Sequence, residues 1–213
     1  MEVKMSKLSA IDIANYFLIL VDREEGDSIT HLKLQKLLYF AQGTALALTN
    51  KLLFNEPLKA WDHGPVTSSV YSTFKIFDKN SIPNPPEMDF HIYDETTKRL
   101  IYKVYTVYGE HTASYLRNLS HKHISWQKAF NSIDKTLDYS DIKNDFTREF
   151  TIKDLDVSNS DLQTIVDAED RWWMEYDCGE PSEDITSHLI EQIHLLKTDK
   201  KAYINSCVRI EGF

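Results

Sequence analysis

The segment ITHLKLQKLLYFAQG, residues 29–43, decides how this chain folds. Within it Leu34, Leu37, Leu38 and Ala41 recur at three- and four-residue steps, and Ala45 and Leu48 continue the series. This spacing predicts a long amphipathic helix, opened at Thr30 and closed by the TNK of residues 49–51. Just upstream, SAIDIANYFLILVDREEG places Ile13, Ala14, Phe17, Leu18 and Val21 on one stripe, with Ser9 as N-cap and Gly26 as terminator. Two such stripes are expected to pack against each other.

Downstream lies AWDHGPVTSSVY, residues 60–71. Gly64 and Pro65 read as a turn whose proline occupies the first position of a helix, where its missing N–H costs nothing. Val66, Val70, Phe74 and Phe77 then follow at helical spacing. NSIPNPPEMD, with three of the six prolines, breaks regular structure between Asn80 and Asp89. FHIYDE, from Phe90, offers a small strand. ETTKRLIYKVYTVYGEH sets Leu100, Ile101, Val104, Tyr105 and Tyr108 on one helical face ahead of Gly109, although the β-branched and aromatic content of IYKVYTVY also suits a strand. ASYLRNLSH, SWQKAFNSI, NSDLQTIVDAEDRWWMEY and SEDITSHLIEQIHLLK read as further helices. No repeat marks a solenoid.

The expected fold class is mainly α: a compact multi-helix domain with at most a small β element over residues 1–146, followed by a helical acidic extension over residues 147–213. The charge supports that division. Residues 1–146 carry 17 Lys and Arg against 18 Asp and Glu, whereas residues 147–213 carry 7 against 15. The net charge of -9 disfavours direct nucleic-acid binding, which draws on clustered Lys and Arg. Lys33, Gln35 and Lys36 near a helix start are too few cations for a DNA-reading helix. The apolar run from Ile13 to Val21 is too short to span a membrane and is flanked by charge, so a cytoplasmic protein is expected, with no membrane partner. Cys178 and Cys207 form no CxxC pair and read as reduced thiols.

Chemistry-bearing patterns are sparse. Asp62 and His63 adjoin, and Ser68 and Ser69 follow without flanking glycines, which is unlike a nucleophilic triad. His121 and His123 form an HxH pair without HExxH or PCxxC, and six glycines leave no phosphate-cradling loop. Neither a catalytic centre nor a cofactor or metal site is expected.

Taken in order, ITHLKLQKLLYFAQG, FNEPLKAWDHGPVTSSVY, YTVYGEHTASYLRNLSH and SWQKAF resemble the Panacea domain, the SocA-like antitoxin domain, over roughly residues 8–146. The motif falls on Leu34, Gln35, Lys36, Leu37, Leu38 and Tyr39, on Trp61, Gly64, Pro65, Val66 and Tyr71, and on Tyr108, Gly109, Leu119, His121 and Trp126. His63 and Ser120 depart from it, standing where an aromatic residue and a threonine are commoner. The resemblance implies a mainly helical, non-catalytic antitoxin that binds and neutralises a cognate protein toxin, from an adjacent gene in bacteria or their phages. Some relatives act instead as adaptors delivering a toxin to a protease. Trp61 and Trp126 read as core residues.

In the acidic extension, Leu162, Ile165, Val166, Trp173 and Tyr176 form one helical face, which makes Trp173 a core residue and Trp172 a rim residue. Trp172 amid Asp167, Asp170, Glu175 and Asp177 is a candidate anchor for a basic toxin, since interface hot spots favour Trp and surrounding charge speeds association; ordinary packing against the first domain is the alternative reading.

Overall fold

A computed structural model describes residues 6–147 and 158–177. Its order is α1 (Ala10–Ile19), α2 (His31–Thr49), β1 (Leu58–Trp61), β2 (Gly64–Thr67), α3 (Ser68–Phe74), α4 (Glu95–Tyr108), α5 (Ala113–Ser120), α6 (Ile124–Phe130), α7 (Tyr139–Phe146) and α8 (Asn159–Asp177). The fold is mainly α with one two-stranded sheet. No helix of the described residues is long and apolar enough to cross a membrane. The chain divides into two compact units, Met1–Ala168 and Glu169–Phe213. The helix expected over SEDITSHLIEQIHLLK lies outside the described residues, as do Cys178 and Cys207.

Helix α2 is the centre of the first unit. Thr30 caps it, its Oγ1 accepting from the Lys33 N–H at 3.4 Å, and Asn50 ends it in the left-handed region at φ 55°. Leu34, Leu37, Leu38, Tyr39, Phe40 and Ala41 are fully buried. Burial on this scale contributes about 1.5–3 kcal/mol for each large apolar side chain. Helices α1, α4, α5 and α7 all pack on α2. Ser9 and Asp12 close a capping box on α1, satisfying two donors at once. That helix stops at Ile19, short of Gly26: Gly26 instead closes a tight turn, its N–H donating to the Arg23 carbonyl at 3.2 Å.

Helix α2 also holds the loops that follow it. The Gln42 carboxamide accepts from the Leu53 and Phe54 N–H groups at 2.8 and 3.2 Å and donates to the Phe54 carbonyl at 2.9 Å. The segment expected to enter a helix at Pro65 is instead an antiparallel hairpin, in register Trp61 with Gly64 and Leu58 with Thr67. Gly64 sits at φ +93°, a value that favours glycine and sets the tight turn. Helix α3 starts only at Ser68. The reason lies far off in sequence: Gln35 accepts from the Thr67 N–H at 2.8 Å and donates to its carbonyl at 3.3 Å, and Lys36 Nζ donates to the Pro65 carbonyl at 2.6 Å. Side chains of α2 thereby take the place of a third strand along the edge of β2. The β1 edge is held from the other side, where Ala60 donates to the Lys135 carbonyl at 2.7 Å and Leu137 to the Leu58 carbonyl at 2.9 Å.

Phe90–Ile92 forms a 3-10 turn, not a strand. Its neighbour Tyr93 donates from its hydroxyl to the Asp12 carbonyl at 2.8 Å, and the Tyr93 ring packs at 4.8 Å from Tyr16. IYKVYTVY is helical within α4, with Leu100, Ile101, Val104 and Tyr108 buried. Helix α7 was not expected from the sequence. Asp138 caps it, and Ile142 and Phe146 are fully buried. The Phe146 ring lies where a Cβ on Gly43 would stand, so the glycine allows α7 to close onto α2. Asp145 in turn caps α6, accepting from the Ile124 and Ser125 N–H groups at 3.1 and 2.9 Å.

On α8 the expected phase is reversed. Trp172 is 5% exposed, whereas Trp173 is 46% and Val166 46% exposed. The buried line runs through Ile165, Ala168 and Trp172, at steps of three and four. Val166 had weighted the apolar centre towards Trp173, and small Ala168 supplies the missing register mark.

Candidate functional site

The hairpin, α2 and the α5–α6 junction bring the motif residues together. Leu34, Leu37, Leu38 and Tyr39 belong to the core, and Gly64, Pro65, Val66, Tyr108 and Gly109 are also buried, with Leu119 half-buried. Trp61 and Trp126, expected in the core, are not. Trp61 is 38% and Tyr71 36% exposed, and Trp126 is half-buried. Trp61 is the one exposed position of the hairpin strands, whose other ends at Leu58, Gly64 and Thr67 are buried.

These rings form one connected surface. Tyr71 packs edge-on to Trp61 at 4.8 Å, and His31 lies 4.9 Å from Tyr71. Trp126 donates through Nε1 to the Trp61 carbonyl at 3.3 Å, stacks on His121 at 3.9 Å and on Phe130 at 4.7 Å. Each such aromatic pair adds about 0.5–1.5 kcal/mol beyond burial.

Beneath this surface Lys36 is fully buried. Burial, with Arg117 adding, pulls its ammonium from an ordinary 10.5 down to about 7. A Cβ on Gly64 would stand 2.8 Å from Lys36 Nζ and 2.7 Å from Ser120 Oγ, so lysine, serine and glycine meet at one point. Burial, then Lys36, Arg117 and His63, hold the His121 imidazole below its ordinary value. Burial and Lys36 lower His31 as well, with Asp78 opposing them. His121 Nε2 and His31 Nε2 are buried without a hydrogen-bond partner.

The HxH pair is split by its own helix junction. His121 faces Trp126, while His123 accepts or donates through Nδ1 to the Tyr39 hydroxyl at 2.7 Å, which also meets Ser125 Oγ at 3.0 Å. They do not converge on a common point. Asp62 and His63 are both exposed in the hairpin turn, and Ser68 and Ser69 belong to the first turn of α3. Gln35 and Lys36 are committed to the hairpin backbone, which removes them from any base-reading face.

Of the expected toxin-contact residues, Asp167 and Asp170 are exposed on α8 and Trp172 is buried, which corrects its assignment as a rim anchor. The Glu175 and Asp177 side chains lie outside the described residues. The sequence passed over Arg117 and Ser120 as members of the Lys36 cluster, because only the folded hairpin brings α5 over α2.

Neither the curated proteins nor the solved structures gave a significant match to this chain. The family model described as "Antitoxin SocA-like, Panacea domain" matches residues 34–127, a span that begins at the first buried leucine of α2 and ends just after Trp126. The segment that builds the hairpin and its aromatic surface is therefore similar to the antitoxin SocA-like, Panacea domain.

Proposed function

We propose that the chain is an antitoxin that binds a cognate protein toxin directly and neutralises it, the toxin being encoded by an adjacent gene. The observation that carries this reading is the aromatic surface of Trp61, Tyr71 and Trp126, half-exposed within a domain of an antitoxin family. Trp and Tyr dominate binding hot spots because they bring a large apolar area with few rotamers to freeze. Exposed side by side, they hold burial free energy that a partner would recover. Inhibition is stoichiometric and follows mass action.

The acidic face of α8, with Asp167, Asp170 and the exposed Trp173, is the second proposed contact, and Trp173 takes the anchoring role first assigned to Trp172. A basic toxin surface would suit this face.

Inducing the neighbouring open reading frame alone, then with this chain, tests the reading. Growth arrest rescued by the chain, with co-purification of the pair, is expected. Trp61→Ala with Trp126→Ala should abolish rescue while circular dichroism stays unchanged. Full rescue by that folded double variant would move the contact to α8. Toxin loss that requires both this chain and a protease would make the chain an adaptor.

A further inference from the structure

We infer that the aromatic surface is one wall of a carboxylate-binding site, in which Arg117, His121 and His63 receive an acidic side chain of a protein partner while Trp61 and Trp126 pack its apolar neighbours. This rests on the toxin-binding reading and names the chemistry of the partner at that surface.

Three observations carry it. First, basic side chains gather here in a chain of net charge -9. Lys36, Arg117 and His63 all act on His121, and no carboxylate of the described residues acts on His121 or Lys36 to offset them. Asp62, in the same turn as His63, makes no ion pair with any of these groups. Second, the donors are poised without an anionic acceptor. The Arg117 guanidinium rests its Nε and Nη2 on the neutral Asn118 amide oxygen at 3.1 and 2.9 Å, and His121 Nε2 is buried without a partner. A guanidinium fork matches a carboxylate bidentately, a stronger arrangement than a neutral amide allows. Third, His121 is held in place by its stack on Trp126, so the imidazole is already oriented and loses little freedom on binding.

The buried Lys36 does not touch the ligand. Its single acceptor among the described residues is the Pro65 carbonyl, and its contribution is a partial positive charge behind the hairpin, which grows as pH falls below about 7. In this low-dielectric setting that charge favours an anion at the surface above it.

The test uses the full chain and a blocked, tryptophan-free glutamate–leucine peptide, with a lysine–leucine peptide and inorganic phosphate at matched ionic strength as controls. His121 and His63 side-chain resonances are followed by NMR at pH 7. Saturable shifts with the glutamate peptide alone are expected, weakened by about tenfold in Arg117→Gln. His63→Ala, in an exposed turn, gives a second variant whose folding is not at issue and which should weaken binding in the same direction. Absence of saturable shifts, equal shifts with the lysine peptide, saturation by phosphate in place of the peptide, or unchanged affinity in both variants would each overturn the proposal. Failure of growth rescue by the wild-type chain would instead overturn the antitoxin reading, whatever the peptide does.

Discussion

Replacing Lys36 with methionine should change how the stability of this protein responds to pH. The side chain is fully buried, and its pKa falls from 10.5 to about 7 on folding. Because the folded value is the lower one, the unfolded chain keeps a proton that the folded chain releases between about pH 7 and pH 10.5. Stability therefore rises with pH across this window. With 1.36 kcal/mol for each tenfold in proton affinity, burying the ammonium costs about 4 kcal/mol at pH 7 and about 2 kcal/mol at pH 9. Methionine removes that cost and leaves the Pro65 carbonyl without its donor, a loss of about 1–3 kcal/mol. Lys36→Met is thus expected to be at least as stable as wild type at pH 7 and to lose that advantage by pH 9. Urea unfolding of both proteins at the two pH values reads the difference. The wild-type midpoint should move up by about 1 M relative to the variant, taking a slope of about 2 kcal/mol per molar. Parallel responses in the two proteins would show that Lys36 keeps its ordinary pKa in the fold, and the account of the buried cluster would fail with it.

Three further outcomes follow from the packing. Gly64→Ala should destabilise by about 2 kcal/mol or more, because φ +93° strains any Cβ and this one would press on Lys36 and Ser120; thermal unfolding checks it, and a loss below about 0.5 kcal/mol would contradict the close approach. Phe146→Ala should cost about 3–5 kcal/mol in urea unfolding, since the fully buried ring contacts Tyr39, Phe40 and His123, and a small loss would place α7 outside the cooperative unit. Trp172→Ala should lower stability by about 3 kcal/mol, whereas Trp173→Ala should stay within about 0.5 kcal/mol of wild type and weaken toxin binding alone; the opposite pattern in paired melting and co-purification experiments would restore the reversed helix phase.

What could be read in advance was local. Ser9 and Thr30 mark their helix starts by side-chain hydrogen bonds to residues three positions on, Asn50 ends α2 in the left-handed region with its N–H on the Leu46 carbonyl, and the stripe from Leu34 to Ala45 needs only the helical period. The hairpin could not be read that way. Pro65 and the β-branched Val66 accept several backbones, and what selects a strand is the bond pair from Gln35 to Thr67, thirty-two positions away. The same distance effect hid the proposed carboxylate site, whose members come from the hairpin, α5 and the start of α6. Trp61 and Trp126 misled for a different reason: a tryptophan's apolar bulk argues for burial, but Trp61 stands at the exposed end of β1 and Trp126, on α6, donates to its carbonyl at the same surface. Helix α7 carried a usable signal in Asp138, Ile142 and Phe146, too short to stand out by periodicity.

The cap that Asp145 places on α6 has a consequence for the order of events during synthesis. Helix α6 carries Trp126, yet its first two N–H groups are satisfied only by a carboxylate some twenty residues later. A nascent chain still holding α7 inside the ribosome therefore has its hairpin but neither a finished α6 nor the Phe146 ring that seals α2. The aromatic surface is completed only at the end of the domain's translation. Helix α7 acts as the clock, and a cut that removes it would leave Trp61, Tyr71 and Trp126 in place while taking away the cap of the helix that carries Trp126.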